Sequence, residues 1–154
     1  MTLADILNEN AIEVSLKAKD KKEALLEMVN LLEQGWGIKN KEDILKSINS
    51  REELMSTGIG HGVAIPHARS NSVTKVLAAF GKSEKGVDFN ALDKKPVYLL
   101  FLLIASEDAS NAHIKILARV SRLLKHNYFR ELLKNAETPQ EILSLIKKEE
   151  SKHL

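Results

Sequence analysis

Nine consecutive apolar residues, Val97-Tyr98-Leu99-Leu100-Phe101-Leu102-Leu103-Ile104-Ala105, limit how this chain folds more than any other stretch. A strand with one wet face alternates apolar and polar residues, so an unbroken run must be covered on both sides. The run is also far short of the ~20 residues that a membrane-spanning helix needs. It therefore reads as the central strand of a sheet sandwiched between helices.

The neighbouring patterns supply those helices. Asp20-Lys21-Lys22-Glu23 has the form of a capping box. The helix it opens places Ala24, Leu25, Met28, Val29, Leu31 and Leu32 on one broad face, with Gly35 expected to end it. A second helix is expected from about Asn40, carrying Ile44, Leu45 and Ile48 inward and running out near Arg51-Glu52-Glu53. A long helix is expected from about Asn111 to Lys125. Thr138-Pro139-Gln140-Glu141 marks the start of the last one, with Thr as N-cap and Pro at the first helical position. Ala11 to Leu16 suggests a short edge strand. Val73 to Phe80 suggests another, followed by a loop containing Gly and Asp. The predicted fold is α/β: a single layered domain with a mixed β-sheet and helices on both faces. The domain is expected to occupy residues 1–150, with 151–154 as a disordered tail carrying His153.

Composition narrows the chemistry. The chain has 154 residues, enough for one domain with a real core. Its 23 basic and 21 acidic residues nearly balance, which argues against a dedicated nucleic-acid binder. There is no cysteine, so a thiol nucleophile is excluded, and a reducing compartment is suited. The opening Met1-Thr2-Leu3-Ala4-Asp5 lacks the basic region of a signal peptide. A cytoplasmic protein with no membrane insertion is expected.

The segment Arg51 to Arg69, REELMSTGIGHGVAIPHAR, concentrates the candidate chemistry. Gly58, Gly60 and Gly62 alternate with Ile59 and His61. They either aim backbone N–H groups at an anion or make a tight connection between helix and strand. A dinucleotide fingerprint and a P-loop both fail on spacing. Val63-Ala64-Ile65 reads as a short buried strand, and Pro66 fixes the backbone behind His67. His67 thus sits on a rigid mount, as a base, metal ligand or nucleophile. His113 lies four, seven and eleven residues before Leu117, Val120 and Leu124, on the buried stripe of the long helix near its N-terminus. Arg51, at a helix C-terminus, either answers the helix dipole or grips an anion. A metal site built from His61, His67 and His113 is disfavoured, because His61 and His67 bracket a strand and a proline. Lys115, Arg119, Arg122 and His126 form a stripe read as a solvated face or a dock for an acidic partner. Trp36, between two glycines, reads as a loop-packing residue.

The pattern R-E-x-x-x-S-T-G-I-G-x-G-x-A-I-P-H, spanning Arg51 to His67, closely resembles the phosphorylation-site region of fructose/mannitol-type enzyme IIA domains. These belong to the bacterial phosphoenolpyruvate-dependent sugar phosphotransferase system, and nitrogen-regulatory IIA proteins share the pattern. Phe89-Asn90-Ala91-Leu92-Asp93 and His113-Ile114-x-x-Leu117-Ala118 extend the resemblance over nearly the whole chain. It implies that His67 accepts a phosphoryl group through Nε2, with Nδ1–H held by a backbone carbonyl. Arg51 and His113 would surround that group, and Thr57, Gly58, Gly60 and Gly62 would form the loop around it. No cofactor or metal is implied. The implied donor is the phosphocarrier protein HPr and the implied acceptor a IIB domain, both as separate partners. A regulatory protein acting by phosphorylation-dependent partner binding is the alternative. His61 does not select a sugar class.

Overall fold

The computed structural model describes residues 1–153. Its elements run α1 (Leu3–Ile6), a 3-10 turn (Glu9–Ala11), β1 (Ile12–Glu13), α2 (Lys21–Trp36), α3 (Lys41–Leu54), β2 (Gly58–Gly60), β3 (Val63–Ala64) and β4 (His67–Arg69). Then follow β5 (Leu77–Val87), β6 (Val97–Ala105), a second 3-10 turn (Glu107–Ala109), α4 (Ser110–Leu124), α5 (Asn127–Asn135) and α6 (Pro139–Lys152).

The apolar run is β6, and it lies inside the sheet. It pairs antiparallel with β5 on one side and parallel with β3 and β4 on the other. The sheet order is β1-β5-β6-β3-β2, with β4 also beside β6. Successive β6 side chains enter opposite cores. Leu100, Leu102 and Ile104 pack with Leu25, Met28 and Leu32 of α2 and Ile44 and Ile48 of α3. Leu99, Phe101 and Leu103 pack with Leu3 of α1, Val120 of α4, Phe129 of α5 and Ile146 of α6. Two-sided burial explains why the run has no polar alternation. The mixed sheet with helices on both faces is the expected architecture.

β3 and β4 act as one strand with a break. Their pairing with β6 keeps a single register, Ala64 beside Leu100 and His67 beside Leu103. At the break the Ile65 N–H donates to the Thr57 carbonyl (3.0 Å), and Pro66, with no N–H, accepts from Leu103 through its carbonyl (3.0 Å). His67 therefore starts a strand, where the sequence reading placed it at the end of one.

Helix ends follow the sequence signals within a few residues. The Asp20 carboxylate accepts from the Glu23 N–H (2.9 Å), but Glu23 reaches back to the Lys19 N–H and not to that of Asp20. Thr138 caps α6 through the Glu141 N–H (3.1 Å). α2 does not stop at Gly35. It continues to Trp36, and Gly37 takes the left-handed cap at φ 64°. The Trp36 indole N–H donates to the Ala78 carbonyl (3.0 Å), fastening α2 to β5.

Three expectations are corrected. The edge strand over Ala11–Leu16 shrinks to Ile12–Glu13, because the preceding residues form a 3-10 turn capped by Asn8. The second strand begins at Leu77 and continues to Val87, through residues read as loop. Gly81 makes room there for Leu16 and Met28, and buried Lys82 delivers its Nζ to the carbonyls of Lys134 (2.7 Å) and Ala136, closing the end of α5. Finally, 151–153 is no loose tail. α6 runs to Lys152, and His153 stacks on His126; only Leu154 falls outside the described residues.

Gly35 faces Ala11 so closely that a Cβ built on it would lie 2.4 Å from the Ala11 Cβ and 2.8 Å from its nitrogen. Gly35→Ala should therefore lower stability by about 1–3 kcal/mol through overpacking, despite a gain of ~1 kcal/mol in helix propensity. Urea unfolding measures this. A midpoint at or above wild type would show that the α2 contact opens freely.

Candidate functional site

An open cavity of about 960 Å³ lies where the parallel strands β4 and β6 end, between the C-terminal half of α3 and the first turns of α4. The carboxyl ends of parallel strands are where α/β sheets commonly present ligand sites. β4 contributes His67 and Arg69, α3 contributes Lys46, Ser47 and Arg51, and α4 contributes Ser110, His113 and Ile114. Asp43 and Glu107 also line it.

His67 is half-buried at the head of β4. Its Nδ1 lies 2.8 Å from the Ile65 carbonyl. A carbonyl only accepts, so Nδ1 carries the proton and Nε2 keeps its lone pair. Burial pushes the imidazole below its ordinary value of 6.5, the Ile65 bond opposes that, Arg51 lowers it further and Glu52 opposes. The neutral, nucleophilic form is thus the one present at neutral pH.

His113 stands beside it, with ring centroids 5.6 Å apart and planes at 69°. It is 5% exposed. Burial, then the neighbouring His67 and Arg69, lowers its pKa to about 4. Its Nε2 is buried with no hydrogen-bond partner among the described residues. Such orphaned groups are uncommon and costly, and often belong to a site whose ligand completes them.

Arg51 lies in the last turn of α3. Its Nη1 donates to the Met55 carbonyl (2.9 Å), just past the helix end. This bond fixes the guanidinium and leaves the rest of the fork for the cavity. The next residue, Glu52, is buried. It accepts from the Thr57 N–H (2.8 Å) and hydroxyl, and pairs with Lys21 Nζ at 3.0 Å. That network ties the end of α3, and so Arg51, to the strand system carrying His67.

The structure brings His67, His113 and Arg51 together. It does not bring the glycines. Gly58, Gly60 and Gly62 belong to a β2–β3 hairpin and do not line the cavity. Gly58 allows close approach of Ala91, and Gly62 adopts φ 76° against Tyr98. His61 sits exposed at the hairpin tip with φ 57°, away from the cavity. Thr57 is buried on Glu52 and supports the site from behind. The tight-connection reading of the glycines describes their geometry.

Arg69 was missing from the sequence-derived site. Its Nη1 donates to the Ser110 hydroxyl (2.7 Å), so a second guanidinium crosses from β4 to α4 at the cavity. The signal was available, since residues two apart on a strand share a face. Asp43 is held too. The Ser72 and Ser70 hydroxyls donate to it and keep its carboxyl below the usual range.

The chain matches the family described as "Phosphoenolpyruvate-dependent sugar phosphotransferase system, EIIA 2" over residues 5–149. It is 36% identical over 146 residues to the fructose-specific EIIABC component of Bacillus subtilis, a match covering 95% of this chain but 23% of that protein. It is 34% identical to a nitrogen regulatory protein of Bradyrhizobium diazoefficiens, with 95% of each chain covered. The crystal structure of nitrogen regulatory protein IIA-Ntr from Neisseria meningitidis superposes with a TM-score of 0.87 at 31% identity, covering 94% of this chain and 98% of that one.

The depressed value of His113 carries a stability consequence. Between about 6.5 and about 4 the unfolded chain binds a proton that the folded one refuses. Stability contributed by neutral His113 is therefore complete above 6.5 and is lost as pH falls toward 4. His113→Gln should flatten that part of the acid limb of a Tm-against-pH curve. Parallel curves for the two proteins would mean that His113 binds its proton alike in the folded and unfolded chain.

Proposed function

The chain belongs to the EIIA type 2 family of the phosphoenolpyruvate-dependent sugar phosphotransferase system, and on that premise we propose that it is a phosphoryl carrier using His67 as acceptor. One observation carries the reading: the Nδ1–Ile65 bond leaves Nε2 as the free nucleophile of a neutral imidazole, beside a guanidinium and an orphaned imidazole nitrogen.

The Nε2 lone pair attacks phosphorus of a phosphohistidine on the donor, the phosphocarrier HPr. The donor P–N bond breaks as the new one forms, and the donor imidazole recovers its lone pair. Phosphoryl transfer of this kind needs alignment and charge stabilisation more than covalent assistance. Arg51 supplies a fixed guanidinium, suited to phosphate oxygens. His113, neutral beforehand, donates Nε2–H to a phosphoryl oxygen and so gains the partner it lacks. Arg69 adds a second cation at the mouth. Transfer to a IIB domain runs the same step in reverse. Ile114, exposed at the rim, favours a protein over a small molecule as the docking species.

A second reading makes the phosphorylation state itself the output, changing affinity for regulatory partners. The 34% identity to a nitrogen regulatory protein and the 31% identity to IIA-Ntr support it. The two are separated by mixing the phosphorylated chain with a fructose-type IIB domain and sugar.

Phosphoenolpyruvate, enzyme I and HPr should label the chain with an acid-labile phosphate, and His67→Ala should take up none. Arg51→Ala should slow transfer about 10²–10³-fold, as loss of a preorganised charge donor does. His113→Ala should also slow it while leaving some acceptor capacity. Label retained by His67→Ala removes His67 from its role; wild-type rates in the other two remove the charge-stabilising roles.

A further inference from the structure

A second cationic cleft, of about 410 Å³, opens between the C-terminal half of α4, the α4–α5 turn and the end of α6. Arg119, Arg122, Lys125, His126 and His153 line it around the apolar floor of Leu123. From these residues we infer a second ligand site, one that takes a small molecule carrying a diphosphate.

The sequence alone suggested a solvated stripe on α4. Folding changes it by adding α6. Among the described residues Glu150 is the one carboxylate in the wall, and its charge is answered: it accepts from the Leu3 N–H through both oxygens (2.9 Å each) and from Arg119 Nη1 (3.1 Å). Among the described residues, three permanent cations against one carboxylate leave the cleft with an excess of two positive charges. That excess suits a polyanion, and the cleft is larger than a single phosphate needs.

The wall is also preorganised. Arg119 Nη1 is anchored on the Met1 carbonyl (2.8 Å) as well as on Glu150, so its remaining N–H groups are held in place. His153 is oriented by Glu149 (3.0 Å) and stacks on His126, with centroids 5.2 Å apart and planes at 11°. Tyr128 packs on the same His126 ring at 5.5 Å. The fixed Arg119 fork and the stacked rings lose little freedom on binding, and Arg122 brings a second guanidinium to the wall. A cleft of this size falls in the range of small-ligand sites, which favours a compact anion over an extended acidic peptide.

The site is separate from the phosphoryl site. His113 and Arg122 are nine residues apart on α4, roughly 14 Å along the axis at 1.5 Å per residue. Imidazole resonances therefore report the two sites independently.

Inorganic pyrophosphate, ADP and, as a control, sodium chloride at matched ionic strength are titrated into the full chain while the ring signals of His126, His153 and His67 are followed by NMR. The expected result is a saturable shift of His126 and His153 with pyrophosphate and ADP but not with chloride, weakened about tenfold or more in the Arg122→Gln/Lys125→Gln double variant. Both substituted side chains are exposed, and neither makes an ion pair among the described residues, so the fold is retained and His67 phosphorylation stays at wild-type rate. ADP binding more tightly than pyrophosphate identifies a diphosphate ester; the reverse identifies the free diphosphate. The inference falls if no saturable shift occurs, if chloride reproduces it, or if the double variant binds equally well. It falls equally if a polyglutamate peptide binds there and pyrophosphate does not.

Discussion

β6 can exist only if both its faces are sealed, and everything functional in this protein is placed by the way they are sealed. One face is closed by α2 and α3, the other by α1, α4, α5 and α6. α3 delivers Arg51 and α4 delivers His113, so the two groups that flank His67 arrive from opposite layers of the sandwich. The edge of β6 supplies the third coordinate, because β4 pairs with it from His67 onward. The site is thus assembled at a seam where two hydrophobic cores and one hydrogen-bond ladder meet. Movement of either layer changes the spacing of charge around His67.

Within that seam, charge and neutrality are arranged with opposite purposes. Arg51 and Arg69 are permanent cations held by neutral oxygens, the Met55 carbonyl and the Ser110 hydroxyl, so their charge is not cancelled. The two histidines are kept neutral by burial and by those same cations. A protonated His67 has no lone pair to attack with, and a protonated His113 would add a buried charge with no counter-ion. The two guanidinium groups set a positive field, and the buried His113 Nε2 has no hydrogen-bond partner among the described residues. A phosphoryl group would satisfy both. On the proposed reading the site is adapted to its loaded form.

Much of the architecture was legible in the sequence, for physical reasons that can be named. Val97–Ala105 could only be a doubly covered strand, and Asp20 and Thr138 are cap residues with local partners. What was not legible depended on distant contacts. Gly81-Lys82 resembles a loop until one knows that Leu16 and Met28 fill the space beside the glycine and that the lysine finds two carbonyls at the end of α5. Gly35 resembles a stop signal until Ala11 is placed against it. At the site, His67, His113 and Arg51 could be picked out by type and position. The glycine spacing alone leaves an anion loop and a tight connection both open, and the resemblance implies the loop, whereas in the fold these glycines serve a hairpin. Arg69 was overlooked although it shares a strand face with His67. His153 was expected to be loose because it lies near the chain end; its ring partner sits 27 positions earlier, and no local pattern reveals that.

The aim of the His67 ring is set by the carbonyl of Ile65, a main-chain atom two positions upstream. Main-chain carbonyls survive any substitution of the side chains around them. The Nε2 lone pair therefore keeps its bearing while the rim of the cavity is free to diverge, and under the proposed function a lineage can exchange its docking partners without having to rebuild its chemistry.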